Sequence, residues 1–236
     1  MSVVLGKNIH DVVELRERTG VFRDRSHAGE VLAELLEGKV GRNPLVLAIP
    51  AGGIPVGVSL ARRLELPLDV AVVSKITLPW NTECGYGAVA FDGTVKVNEE
   101  LVRHFGLRKE DIQQGVEMTE RKVEQRFRTL RGRRPFPNLS NRWTVVVDDG
   151  LASGSTLEVA VAALRNSGAE KLFIAVPTAH RHSLLKIARK VEGVFCANIR
   201  GGWSFAVADA YQRWTDVTEE ELQALLAEYD AVARRE

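Results

Sequence analysis

Val145-Val146-Val147-Asp148-Asp149-Gly150-Leu151-Ala152-Ser153-Gly154-Ser155-Thr156 is the stretch from which the rest of the chain can be read. Branched apolar residues favour extended backbone, and a run of them without polar alternation predicts a strand covered on both faces. Two carboxylates follow where that strand would end. Small residues then lead into 155–167, where Leu157, Val161 and Leu164 fall on one helical stripe and Gly168 supplies a stop. The unpaired N–H groups and positive dipole end of such a helix start can hold a phosphate. Gly154 permits close backbone approach, and the hydroxyls of Ser153, Ser155 and Thr156 add donors. Asp148 and Asp149 carry the wrong charge for the phosphate itself. They suit a neighbouring diol, because carboxylates accept hydroxyl hydrogen bonds well, and a ribose 5-phosphate presents both groups close together. No lysine stands in the loop, which excludes a Walker A motif, and Gly52-Gly53 lacks the spacing of a dinucleotide fold.

Working outward, four more short apolar runs occupy 45–49, 70–73, 172–176 and 194–199, making with 143–147 five predicted strands. The spacers 54–65 and 181–190 read as crossover helices. The fold class is therefore α/β, doubly wound, with a mainly parallel five-stranded sheet. Val31, Leu32, Leu35 and Leu36 share one face of a predicted surface helix over 28–37 that packs on the sheet. Thr218 and Glu221 have capping-box spacing ahead of Leu222, Leu225, Leu226 and Tyr229, which predicts a terminal helix. The interval 77–139 is too long for a simple crossover. Its first part, 79–93, holds Gly85, Gly87 and Gly93 and reads as an inserted mobile loop or ribbon, and 99–130 reads as charged helix. With no repeat, low-complexity tract or linker, 1–236 is read as a single domain.

The composition is that of a globular chain: 236 residues, 45% hydrophobic and 27% charged. At this size roughly 70% of the unfolded surface becomes buried on folding. The 32 basic and 31 acidic residues leave a formal charge of +1, so nothing global draws the chain to nucleic acid or to an anionic membrane, and neither partner is expected. Residues 1–10 lack a signal-peptide pattern, and no apolar run reaches membrane-span length, which predicts a cytoplasmic protein. Cys84 and Cys196 have no disulfide or metal-ligand spacing and fit a reducing compartment. Cys84 reads as an exposed thiol, and His180 and His182 read as solvated or capping residues. From 121 to 134 there are seven basic residues and one acidic one, Glu124, a solvated helical face or a polyanion patch. Trp80, Trp203 and Trp214 read as packing residues, with Trp203 or Phe205 also placed to stack on a flat acceptor.

Polar and glycine-rich residues gather just after the strands, at Pro50-Ala51-Gly52-Gly53, Ser74-Lys75, Asp148-Asp149-Gly150 and Thr178. Ligands of open parallel sheets bind outside the carboxyl ends of the strands, so these four clusters are expected to converge. The 145–156 segment resembles the 5-phosphoribosyl-1-diphosphate (PRPP) motif of type I phosphoribosyltransferases. Phe22-Arg23-Asp24-Arg25, Pro50-Ala51-Gly52-Gly53-Ile54-Pro55-Val56-Gly57, Ser74-Lys75-Ile76, Asn81-Thr82-Glu83 with Gly87-Ala88-Val89-Ala90, and Ala206-Val207-Ala208-Asp209-Ala210-Tyr211 resemble a bacterial and archaeal branch of that family.

The resemblance implies a fold with a small hood built from terminal segments, and an enzyme that moves the phosphoribosyl group of PRPP to a nitrogenous acceptor with release of pyrophosphate. The alternative is a non-catalytic sensor of PRPP or a nucleotide. It implies that Asp148 and Asp149 contact the ribose hydroxyls and that Ala152, Ser153, Gly154, Ser155 and Thr156 wrap the 5-phosphate. Ala51, Gly52 and Gly53 would present backbone N–H groups to the pyrophosphate, often through a non-proline cis peptide. Lys75 would be a cation beside the pyrophosphate, and Glu83 a contact from the closing loop. Mg²⁺ would be held mainly by substrate oxygens and water, with Asp148 and Asp149 as its candidate protein ligands. A homo-oligomer is left open. Two positions depart from the pattern: Ala51 stands where much of the branch has arginine, and Ala152 where purine-type relatives have an acidic base, which counts against purine salvage.

Overall fold

The computed structural model describes residues 6–233. Strands β1 (Ile9–His10), β2 (Pro44–Ala48), β3 (Leu68–Val70), β7 (Trp143–Val147), β8 (Lys171–His180) and β9 (Gly193–Arg200) form a parallel sheet in the order β1-β9-β8-β7-β2-β3. Strands β4 (Val73–Leu78), β5 (Asn81–Ala90) and β6 (Val95–Val97) form a separate antiparallel sheet. The helices are α1 (Arg25–Leu36), α2 (Gly53–Leu64), α3 (Glu99–Phe105), α4 (Lys109–Arg131), α5 (Ser155–Asn166), α6 (Arg181–Ala188) and α7 (Glu219–Ala233). Among the described residues no helix is long and apolar enough to cross a membrane.

The apolar strand runs lack polar alternation because successive side chains enter two different cores. Val46, Ala48, Val145 and Val147 point to one face, against Leu32 and Leu36 of α1, Leu60 of α2 and Leu222 of α7. Leu45, Leu47, Ile49 and Val146 point to the other, against Leu157, Val161 and Leu164 of α5 and Leu184 and Ile187 of α6. From β2 the chain moves outward through α2 to β3, whereas from β7 it moves the opposite way through α5 to β8. The β2–β7 pair is therefore the switch point of the sheet, where crossovers on opposite faces leave a crevice uncovered.

The expected α/β architecture is present, with two differences of detail. Ile9–His10 adds a sixth strand on the edge of β9, two residues long and too short to carry a pattern. The run 70–73 divides: Val70 ends β3, and Val73 opens β4, which leaves the parallel sheet. The helix expected over 28–37 to pack on the sheet is α1, with Ala28, Gly29, Leu32, Ala33 and Leu36 buried and Gly29 also set against the backbone of α2. The inserted ribbon 79–93 is the β4–β5 hairpin, whose inner half is core: Tyr86, Ala88, Val89 and Ala90 are buried, while Trp80 stands exposed at its tip. The capping box of α7 is formed, Thr218 N–H donating to Glu221 (2.8 Å) and Glu221 N–H to the Thr218 hydroxyl (3.2 Å). The hood pairs the N-terminal segment with the one after β9, through Gly20 N–H to Asp209 O (2.7 Å), Phe22 N–H to Ala210 O (2.9 Å) and Gln212 N–H to Phe22 O (2.8 Å).

Arg131, at the end of α4, is 2% exposed and forks onto Asp69 of β3 at 2.6 and 2.7 Å. Its guanidinium also donates to Pro135 O (3.0 Å) and lies over the rings of Phe127 and Phe136. Removing one partner of a buried pair leaves an uncompensated charge. Arg131→Ala should lower unfolding stability by about 3–5 kcal/mol, seen as a reduced urea midpoint. A loss below about 1 kcal/mol, the scale of a surface ion pair, would show that α4 is not anchored this way.

Candidate functional site

A cavity of about 450 Å³ lies over the carboxyl ends of β2 and β7. Ala51 and Gly52 line it from the turn after β2, and Ser74, Lys75 and Thr77 from β4. Asp148 to Gly154 and Thr156 come from the loop after β7, Lys122 and Arg126 from α4, and Val207 and Trp214 from the hood.

The turn after β2 is packed hard on β7. A Cβ on Gly52 would run into the Asp149 carboxylate, and one on Gly53 would stand 2.6 Å from Val147 O, so neither position admits a side chain. The Pro50–Ala51 peptide is cis. Gly53 N–H is spent on Ile49 O (3.0 Å) and Ile54 N–H on Ala51 O (3.2 Å). Among the described residues the amides of Ala51 and Gly52 have no backbone acceptor in this turn. Of the three amides expected to face a ligand, two are therefore uncommitted and that of Gly53 is not.

The loop after β7 opens α5 through Gly154, whose φ of 85° lies in the left-handed region that glycine tolerates. No side chain caps this helix, whereas Asp24 caps α1 and Asn98 caps α3. Ser153 and Ser155 hydroxyls meet at 2.9 Å. Ser155 N–H reaches Ser153 Oγ at 3.5 Å, and the first-turn N–H groups of Thr156 and Leu157 keep the orphan state that an anion can satisfy.

Asp148 Oδ1 accepts from Asp149 N–H (2.9 Å), and Asp149 Oδ2 accepts from Arg25 Nε (2.9 Å). Arg25 is itself fixed by Thr215 O (2.7 Å) and by the Trp214 ring, 3.8 Å below its guanidinium. Tyr211 donates its hydroxyl to Asp149 O (2.6 Å). Burial pushes the Asp148 carboxyl well above the usual carboxylate range, and the charge of Asp149 pushes it further. Burial raises Asp149 as well, with Arg25 the main opposing influence. Lys75 is exposed on the rim and favours the ionised form of both carboxylates.

Most of the anticipated residues meet here: Ala51, Gly52, Lys75, Asp148, Asp149, Ala152, Ser153, Gly154 and Thr156 line one cavity, whereas Gly53 packs on the end of β7 and Ser155 lines a neighbouring cavity with Gly85 to Ala88 and Lys186. The side chain of Glu83 lies outside the described residues. Thr178 does not join them. Strand β8 continues past it to His180, and its hydroxyl turns inward to Asn198 Oδ1 (2.7 Å). His180 faces Gly202 O (3.3 Å) and the Phe205 ring, and His182 is exposed. The basic run 121–134 divides three ways: Arg131 is a core residue, Lys122 and Arg126 line the cavity, and Arg121, Arg128, Arg133 and Arg134 are exposed, Arg134 pairing with Asp230. The sequence gives Arg25 no site role and reads Trp214 as a packing residue, whereas Trp214 lies under Arg25 and lines the cavity. The alternation 119, 123, 126, 130 could have marked Arg126, since it puts a cation in an otherwise buried helical seam.

A family model described as the phosphoribosyl transferase domain matches residues 92–210, just over half of the chain. Two Mycobacterium tuberculosis proteins provisionally named phosphoribosyl transferases, from strains CDC 1551 and H37Rv, are each 35% identical over 209 residues. The alignment takes in 87% of this chain and 46% of theirs, so the chain spans about half the length of these relatives. The crystal structure of TT1426 from Thermus thermophilus superposes with a TM-score of 0.70 at 31% identity, covering 88% of this chain and 98% of that one.

Asp148's raised pKa means that the folded protein holds this proton more tightly than the unfolded chain does. The group therefore adds stability below about pH 4, the ordinary aspartate range, and that contribution is lost as pH rises through the folded value. Asp148→Asn should raise Tm at pH 8 by about 2–4 °C, the gain fading toward pH 4. Scanning calorimetry across that range checks it, and a gain independent of pH would rule out the desolvated carboxylate.

Proposed function

Because this chain belongs to the phosphoribosyl transferase family, we propose that it binds PRPP and transfers its phosphoribosyl group to a nitrogenous acceptor, with pyrophosphate as the leaving group. The observation that carries the reading is the meeting of an uncapped helix start, a carboxylate pair and a cationic rim at the end of one strand pair. These three features match, in order, a phosphate, a diol and a pyrophosphate.

The first-turn amides of α5 with Ser153, Ser155 and Thr156 receive the 5-phosphate. Asp148 Oδ2 and Asp149 Oδ1, each accepting from no other residue among the described ones, receive the two ribose hydroxyls. Ala51 N–H, Gly52 N–H and Lys75 face the pyrophosphate. In the transfer the acceptor nitrogen gives its lone pair to the anomeric carbon as the bond to the pyrophosphate oxygen breaks. The leaving group takes that electron pair, and the proton released from nitrogen passes to water, because Ala152 offers no base. Positive charge developing on the ribose is met by the carboxylate pair, and negative charge on the leaving group by fixed donors that need little reorganisation.

Mg²⁺ fits this donor set. Asp148 offers a hard oxygen paired with no cation, while no three His, Cys, Asp or Glu side chains among the described residues form a protein cage. Asp148 and the free oxygen of Asp149 would hold the ion together with substrate oxygens and water. Bound there, it supplies positive charge to the leaving group.

Isothermal titration of PRPP with MgCl₂ into the wild type and into Asp148→Asn/Asp149→Asn tests the reading. Binding should weaken roughly tenfold or more in the variant, and labelled PRPP should be consumed when an acceptor-containing cell extract is added. Tight binding without consumption would favour the sensor alternative, to which the engagement of Asp149 by Arg25 lends support. Failure of the folded wild type to bind PRPP would remove the transferase reading, and failure to bind ribose 5-phosphate or a nucleotide as well would remove the sensor.

A further inference from the structure

A second cavity, of about 270 Å³, is enclosed by β5 and β6 of the inserted sheet and by α5 and α6. Its polar lining comes from Lys96 of β6, Asn98 at the start of α3, Ser153 and Ser155 at the start of α5, Glu158 of α5 and Lys186 of α6. The Tyr86 ring lines it too, but the Tyr86 hydroxyl lies against Gly115 of α4. Ser153 also lines the cavity over β2 and β7, so one residue serves both. Its hydroxyl meets that of Ser155 at 2.9 Å.

The acceptors among these side chains are already engaged. Glu158 Oε1 pairs with Lys186 (2.9 Å) and Glu158 Oε2 with Lys190 (2.9 Å). Asn98 Oδ1 accepts from Glu100 N–H (3.0 Å) and Leu101 N–H (3.1 Å), which caps α3 and leaves its amide donors. Lys96 is exposed and pairs with no carboxylate among the described residues. Glu99 and Glu100, close by in sequence, do not line the cavity. Three lysines thus stand against one carboxylate, and what remains free is ammonium, amide and hydroxyl donors. Only an anion with several oxygens satisfies such a set. The cavity is smaller than the 450 Å³ one over β2 and β7, so it suits a phosphate or a small phosphate monoester and not a second PRPP.

We propose that this cavity is a second anion site, in which Lys96, Lys186 and the Asn98 amide hold inorganic phosphate or the phosphate of a small monoester, and that its occupant opposes binding at the loop before α5 through the Ser153 and Ser155 hydroxyls. Each hydroxyl has one proton to donate. A proton turned to the second anion is withdrawn from the 5-phosphate, and two like charges then flank one loop. Linkage is reciprocal, so each anion weakens the other by the same factor. The proposal rests on the phosphoribosyl reading only for the identity of the ligand at the loop. The second cavity and its donors stand without it.

Calorimetric titration of inorganic phosphate, and separately of methyl phosphate, into protein saturated with ribose 5-phosphate reads the second cavity while the loop is filled. Binding of either probe is expected, and the tighter one identifies the source as free ion or monoester. In Lys96→Gln/Lys186→Gln, both at exposed positions, this binding should weaken about fivefold or more, while ribose 5-phosphate affinity measured without phosphate stays within about twofold. Lys96→Gln alone should give part of the loss and guards against misfolding of the double variant. Lys96→Arg/Lys186→Arg should keep most of the affinity. At a phosphate concentration that fills the second cavity, the Kd for ribose 5-phosphate should rise about two- to fivefold more in the wild type than in the glutamine variant. Direct competition at the loop acts in both proteins, so that difference is the linkage. The proposal is overturned if neither probe binds the saturated wild type, if the glutamine variant keeps the binding or loses ribose 5-phosphate equally, or if the Kd shift is the same in both proteins. A wild type that binds neither ribose 5-phosphate nor PRPP removes the phosphoribosyl reading and the linkage. Phosphate titrated into that free protein then decides the anion site, which stands if the glutamine variant loses the binding and falls if it does not.

Discussion

The parallel pairing of β2 with β7, in register from Pro44–Trp143 to Ala48–Val147, is the constraint on which the site depends. Both strands end at one edge, so the turn after one and the loop after the other share a volume too small for two ordinary loops. Glycine at 52 and 53 is what makes them fit, since a Cβ at either would meet Asp149 or the end of β7. The crossovers leave on opposite faces, and neither α2 nor α5 closes the gap between them. A crevice with backbone on both sides follows from topology alone, before any catalytic residue is specified.

The same crowding sets the electrostatics. Carboxylates pressed against a backbone turn lose water, which raises their pKa values, and Asp149 is kept usable by Arg25. Arg25 in turn needs the hood, because Trp214 lies under its guanidinium and Thr215 O accepts from it. Tyr211, from the same segment, holds the Asp149 carbonyl. The hood therefore acts through charge placement as well as shape: it fixes a cation behind one carboxylate and leaves the other facing the cavity. Fixed charges in a partly desolvated pocket act more strongly than the same charges in water.

Much of this was legible in the chain because it rests on local chemistry. Branched apolar runs specify strands covered on both faces, and a small-residue loop before a helical stripe specifies an anion site whatever surrounds it. The roles of Arg25 and Arg126 were hidden because they depend on long-range pairs, with Asp149 and Glu219, about 125 and 90 positions away in the chain. Thr178 erred in the other direction. It follows an apolar run as the other site clusters do, but β8 extends past it, and a hydroxyl inside a strand turns to its neighbour Asn198 rather than to the crevice. The two-residue β1 had no pattern to read, and its pairing depends on β9.

Helix α4 shows how stability and site chemistry are joined. Its end is locked by Arg131 on Asp69, a pair with nearly complete hydrogen bonding and two aromatic neighbours, which fixes the rotation of the helix about its axis. With that rotation fixed, the seam places Arg126 at the cavity wall, where Glu219 satisfies it only in part. An apolar residue there would extend the seam from Val123 to Leu130 and avoid the cost of desolvating a guanidinium. The pair with Glu219 gives the cation a partner on α7, so Arg126 joins two helices while its helix face lines the cavity.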